Sequence, residues 1–120
     1  MVKVLLVGSG GFIGAVLRYL SGVAIYRFAS AAQFPYATLF VNVLGCFLIG
    51  FLIKSLGESS LYLFIIVGVL GGFTTFSSFS LETLSLLNNG EIIKAASNVI
   101  FNVILCLFAV WLGYYLKIKM

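Results

Sequence analysis

The residues of this chain best suited to handling an ion crowd into one stretch. In Gly71-Gly72-Phe73-Thr74-Thr75-Phe76-Ser77-Ser78-Phe79-Ser80, two adjacent glycines precede five hydroxyls in seven residues, and Phe73, Phe76 and Phe79 recur every third position. Hydroxyls donate hydrogen bonds in place of water. An aromatic ring is positive at its edge and negative on its face, so edges suit an anion. Faces suit a cation. The sequence leaves open which surface the rings present. Glu82 follows one turn beyond Ser78 and Phe79, as an acidic group near a span end. Asn42 lies on another segment, and Asn98, Asn102 and Cys106 form an i, i+4, i+8 stripe on a third.

Taken singly, such Ser, Thr and Asn residues are interhelical glue in membrane proteins, and membrane phenylalanines mostly pack or face lipid. As a set beside a helix-breaking segment they favour a polar pathway. The chain has no histidine, no C-x-x-C and no carboxylate pair. Side-chain metal chemistry therefore has little to work with. Cys46 and Cys106 read as small buried side chains.

Spans must position these groups, and the charges mark where the spans are. The 120 residues are 62% hydrophobic and 8% charged, with mean hydropathy +1.23. Soluble domains carry roughly 25% charged residues, so the chain is too poor in charge to cover a surface facing water. Phe28–Ile53, Ser59–Leu81 and Ala95–Leu116 hold no charge, and Val4–Tyr26 holds only Arg18. Each is long enough for a spanning helix of about 20 residues. The expectation is one all-α transmembrane domain over residues 1–120, with spans near 4–26, 36–54, 60–87 and 92–116 and no extramembrane domain. The first segment is long, carries Arg18 and lacks a clear cleavage site, so it is expected to remain as a span. The net charge of +4 is scattered over span ends, which argues against nucleic-acid binding.

Gly10 and Gly14 make a G-x-x-x-G pair that lets backbones approach closely. Pro35 fits a first helical turn, and Asn88-Asn89-Gly90 a helix stop. Gly71 to Thr75 are poor helix formers, which predicts a break in the third span at mid-membrane. Unwound backbone there survives only when buried in protein, lining water or holding an ion. With four spans, Lys3, Lys54, Lys117 and Lys119 share one side, and Arg27 and Lys94 the other. That bias is too weak to fix a direction, so opposed copies are expected to coexist.

Three blocks carry a resemblance over essentially the whole chain: Gly10 to Tyr19, Thr38 to Gly45, and above all Gly71 to Glu82. With them the chain resembles the small bacterial fluoride channels, the Fluc or CrcB family. The resemblance implies an antiparallel, dual-topology homodimer in the bacterial inner (plasma) membrane, with two fluoride pores. It implies that Phe76 and Phe79 meet fluoride with their ring edges and that Asn42 donates to the anion. Thr75, Ser77, Ser78 and Ser80 would line a polar track with Glu82 towards its end, and Thr38 would also belong to the pore. Arg18 would stand near the vestibule. The carbonyls of Gly71 and Thr74 from both copies would hold one structural Na⁺. In the fourth span Cys106 and Val110 stand where relatives often carry Ser or Thr, and Asn102 is expected to take over part of the hydrogen bonding. The implied activity is passive fluoride export that relieves cytoplasmic toxicity, without nucleotide or catalysis. Two other readings differ in outcome. A proton-coupled exporter would depend on Glu82, and an assembly protein would conduct nothing.

Overall fold

The computed structural model describes residues 1–120 and is all-α. Helix α1 (Val2–Ala29) ends in a 3₁₀ turn, Ser30–Ala32. Helix α2 spans Tyr36–Leu56. The third span is composite. A first turn at Ser60–Tyr62, a π-helical run at Leu63–Leu70 and a turn at Gly71–Phe73 make up α3. Helix α4 (Phe76–Asn88) follows, and α5 spans Ile92–Lys119. Four segments (Val2–Ala32, Tyr36–Leu56, Ser60–Asn88 and Ile92–Lys119) are long and apolar enough to cross a membrane.

The chain reverses at residues that tolerate it. Gln33 adopts the left-handed conformation (φ 47°) before Phe34-Pro35, and Gly90 (φ 75°) turns the chain between α4 and α5. A left-handed residue after a helix satisfies its last carbonyls, and glycine adopts it without a Cβ penalty. Glu91 N–H accordingly donates to Leu86 O at 2.8 Å.

Packing is inverted relative to a soluble bundle. The buried polar residues are Thr38, Thr75, Asn98 and Asn102, while Phe12, Phe28 and Ile93 are exposed. Apolar side chains cover the outside and polar ones pair within, as hydrocarbon surroundings require. Lipid supplies no hydrophobic drive between helices, so close backbone contact must do that work. A Cβ on Gly14 would run into Val69 O of α3, and one on Gly10 into Phe64 O. The same device joins α2 to α5, where a Cβ on Gly50 would meet Val110 O and one on Gly113 would meet Phe47 O.

A matched pair of substitutions tests this. Gly14→Ala should destabilise the protein by about 1–3 kcal/mol, the usual effect of overpacking. Gly8→Ala, with nothing within 4 Å of the added carbon, should not destabilise and should gain up to about 1 kcal/mol of helix propensity. Unfolding midpoints in mixed micelles would read both, and equal effects would contradict the packing described.

Candidate ion pathway

Between α3 and α4 two residues leave helical geometry. Thr74 (φ −81°, ψ 157°) and Thr75 (φ −151°, ψ 114°) are extended. The sequence placed the weak segment at Gly71 to Thr75, but Gly71–Phe73 stay helical. Thr74 N–H still reaches Leu70 O at 3.0 Å, and a helical glycine costs only about 1 kcal/mol. The ladder stops where Thr75 N–H turns away from it.

That N–H finds another partner. Thr75 N–H donates to Asn42 Oδ1 at 2.8 Å, and Asn42 Nδ2 donates back to Thr75 O at 3.1 Å. One carboxamide thus satisfies both peptide groups of Thr75. Because the backbone N–H can only donate, Asn42 Oδ1 must face it, which fixes the amide's orientation. A one-way chain follows. Asn42 Nδ2 also donates to Asn102 Oδ1 (3.0 Å), and Asn102 Nδ2 donates to Asn98 O and Oδ1 (both 3.0 Å). Asn98 Nδ2 donates to Thr83 Oγ1 (2.9 Å), which donates to Phe79 O (2.8 Å). The relay ties α2, α4 and α5 to the extended pair.

Side chains of the pair complete the turn. Thr75 Oγ1 accepts from Ser78 N–H at 3.1 Å and caps α4, the usual role of an N-cap threonine. Its hydroxyl donates to Ser78 Oγ at 3.1 Å, and Ser77 Oγ lies 3.3 Å away. Thr74 Oγ1 donates to Leu70 O at 2.9 Å. From α1, Arg18 Nη1 donates to Thr74 O at 3.3 Å.

Two cavities meet at Thr75. The first, about 350 Å³, is lined by Asn42, Thr74, Thr75, Phe76, Phe79 and Asn102, with Cys46, Cys106, Val103 and Leu107. The rings of Phe76 and Phe79 are 5.3 Å apart and tilted at 56°. Phe79 is buried, whereas Phe76 is 77% exposed on the single chain. The second, about 380 Å³, is lined by Arg18, Tyr19, Thr38, Thr75, Ser78 and Glu82 among others. There Thr38 Oγ1 donates to Glu82 Oε1 at 2.6 Å, and Glu82 Oε2 is buried without a partner.

Of the residues singled out in the sequence, Asn42, Thr75, Phe76, Phe79 and Asn102 come together around the first cavity. Thr38, Ser78, Glu82 and Arg18 come together around the second. Ser77 and Ser80 are exposed and line neither; Ser80 Oγ donates back to Phe76 O at 2.9 Å. Both hydrogens of the Asn42 amide are engaged, so Asn42 acts first as a clamp on Thr75. The Gly71 carbonyl has lost its α-helical donor, because that donor is Thr75 N–H. Sequence reading missed Thr83 and the cavity-facing places of Cys46 and Cys106. The stripe Asn98-Asn102-Cys106 and the matching Asn42-Cys46 step held that signal.

A family model described as "CrcB-like protein, Camphor Resistance (CrcB)" matches residues 5–114. A protein of Elusimicrobium minutum named "Fluoride-specific ion channel FluC" is 54% identical over 110 residues, covering 91% of this chain and 88% of its own. Proteins of the same name from Campylobacter jejuni and a Shewanella strain are 52% and 50% identical over 118 residues. They cover 92% and 94% of this chain, and 93% and 94% of their own.

Asn42→Leu should leave both Thr75 peptide groups unpaired, at about 1–3 kcal/mol for each. Ser80→Ala removes only a bond within one exposed turn and should cost below about 0.5 kcal/mol. Unfolding free energies in micelles check the order; a reversal would refute the clamp.

Proposed function

The chain belongs to the CrcB-like family, whose relatives here are named ion channels and not enzymes, and we propose that it is a fluoride channel exporting fluoride passively across the bacterial inner membrane. The observation that carries this reading is the identity of about half the residues, over nine-tenths of the chain, to channels named fluoride-specific. The geometry supports it. Moving a bare small anion out of water costs on the order of tens of kcal/mol unless fixed donors replace its hydration. The Ser78 hydroxyl, and those of Thr75 and Thr38 once they turn from Ser78 and Glu82, supply donors around two cavities that share Thr75, the first of them lined by the Phe76 and Phe79 rings. They are neutral and repeated, and conduction needs sites weak enough to leave. Arg18 adds one positive charge at the second cavity, already bonded to Thr74 O.

The exposed face supports an antiparallel dimer with two pores. Gly71, Phe76, Ser77 and Ser80 are exposed on the single chain beside the extended pair. Hydroxyls and a freed carbonyl do not face hydrocarbon uncovered, and a second copy covers them. The weak charge bias permits that copy to insert the other way up. A structural Na⁺ fits the same place. The Gly71 carbonyl is without its helical donor, and the Thr74 carbonyl holds only a 3.3 Å bond from Arg18. Carbonyl oxygens suit a hard cation. Gly71 and Thr74 of both copies would hold the ion, which would supply fixed positive potential between the pores.

The proton-coupled reading has one observation in its favour, the buried and unpaired Glu82 Oε2. Fluoride efflux from liposomes, followed with a fluoride electrode, separates the two. The channel predicts rapid efflux that an imposed proton gradient does not alter, and a loss of at least about tenfold in Phe76→Ile, or about 1.4 kcal/mol of barrier. Efflux that stops when the proton gradient collapses or when Glu82 is changed to Gln, with Phe76→Ile unaffected, would overturn the reading.

A further inference from the structure

We propose that Cys46 and Cys106 form a two-coordinate site for a thiophilic d¹⁰ cation, with mercury(II) as the fitting ion, in the wall of the first cavity. The register of α2 against α5 brings the pair together. These helices run parallel with a constant offset. Asn42 bonds Asn102 at 3.0 Å, Gly50 packs on Val110 O, and Lys54 Nζ lies over the Tyr114 ring at 5.3 Å. Each contact joins residues 60 apart, and the contacts fall at multiples of four residues along α2. The step between Asn42 and Gly50 is Cys46 against Cys106. That register sets the two thiols against each other across the α2–α5 seam, on one cavity wall. Both are free, half-buried and on the lining of the cavity that holds Phe76 and Phe79.

The donor set selects the ion. Thiolates are soft ligands, and no group of three or more His, Cys, Asp or Glu exists to build a tetrahedral or octahedral site. Zinc, which wants four ligands, is poorly served, whereas a linear S–metal–S bridge needs only two. Each S–H bond breaks heterolytically, two S–Hg bonds form, and two protons leave to the buffer. No oxidation state changes. The product is a neutral bis-thiolate, which a low-dielectric wall accepts more readily than a net charge. A monovalent d¹⁰ ion would leave one negative charge there. The only other sulfur atoms, Met1 and Met120, stand at the chain ends. A filled site would stiffen the α2–α5 seam and narrow the cavity beside Phe76 and Phe79. Only this effect on flux rests on the proposed function; the binding does not.

Purified full-length protein is loaded with one equivalent of Hg²⁺, washed with a monothiol, and assayed for retained mercury and for fluoride efflux. Each variant is normalised to its own metal-free rate. The parent should keep one Hg²⁺ per chain through the wash, show a thiolate–mercury charge-transfer band, and lose efflux at least tenfold until a dithiol restores it. Cys46→Ser/Cys106→Ser should keep no metal and lose no efflux. Each single serine variant should release its mercury to the monothiol. Equal retention by parent and double variant, or two washable ions per chain, would overturn the site. Retention by the parent without loss of efflux would overturn its place on the pathway. A parent that conducts no fluoride but retains one ion would sink the channel reading and leave the site standing.

Discussion

A peptide group at membrane depth has no water to bond, and this fold answers that constraint at Thr75. There Asn42 mimics a neighbouring strand, accepting from the Thr75 N–H and donating to its carbonyl. Without that carboxamide, an extended residue inside a bundle would carry two orphaned groups, each costing about 1–3 kcal/mol. With it, the third span can stop being helical for two residues and restart at Phe76 with Thr75 as its cap. The Phe76 and Phe79 rings of α4 then line one cavity and Ser78 the other, and the two meet at Thr75.

The clamp needs support, and the relay behind it supplies that. Asn42 is held by Asn102, Asn102 by Asn98, and Asn98 by Thr83. Interhelical side-chain bonds of this kind average only about 0.6 kcal/mol each in membrane proteins. Their value here lies in direction: each amide nitrogen donates onward along the relay, so the Asn42 amide cannot flip without breaking the chain. Glycines set the distances that make the relay possible. Gly50 and Gly113 bring the α2 and α5 backbones together, while Gly10 and Gly14 seat α1 on α3. Arg18 then reaches Thr74 O from the α1 side. The extended pair is thereby gripped from two helices that do not themselves carry the phenylalanines.

Much of this was legible in the sequence. Gaps between charges gave four spans, because a charge in hydrocarbon is too costly to place at random. Gly10 and Gly14 announced a close contact, and Asn88-Asn89-Gly90 a reversal. Propensity marked Gly71 to Thr75 as weak, yet the extended residues are only Thr74 and Thr75. Propensity reports what a residue permits, whereas the partner of Thr75 N–H lies 33 residues away on α2. The π-helical run Leu63–Leu70 left no trace in composition. Its residues are ordinary apolar ones, and a wider helical turn follows from packing rather than residue type. The polar stripe on α5 was visible as a stripe. Its pairing with α2 at a constant offset was not, because the offset is a property of two helices in contact.

The central claim is that one side-chain amide replaces the helical partner of Thr75. Solid-state NMR of isotopically labelled protein in bilayers reads this directly, through dipolar contact between Thr75 ¹⁵N and Asn42 ¹³Cγ and through the Cα and Cβ shifts of Thr74 and Thr75. The account predicts a strong contact with extended-type shifts at both threonines. Helical shifts at both, with Thr75 ¹⁵N placed against the Gly71 carbonyl instead, would contradict it.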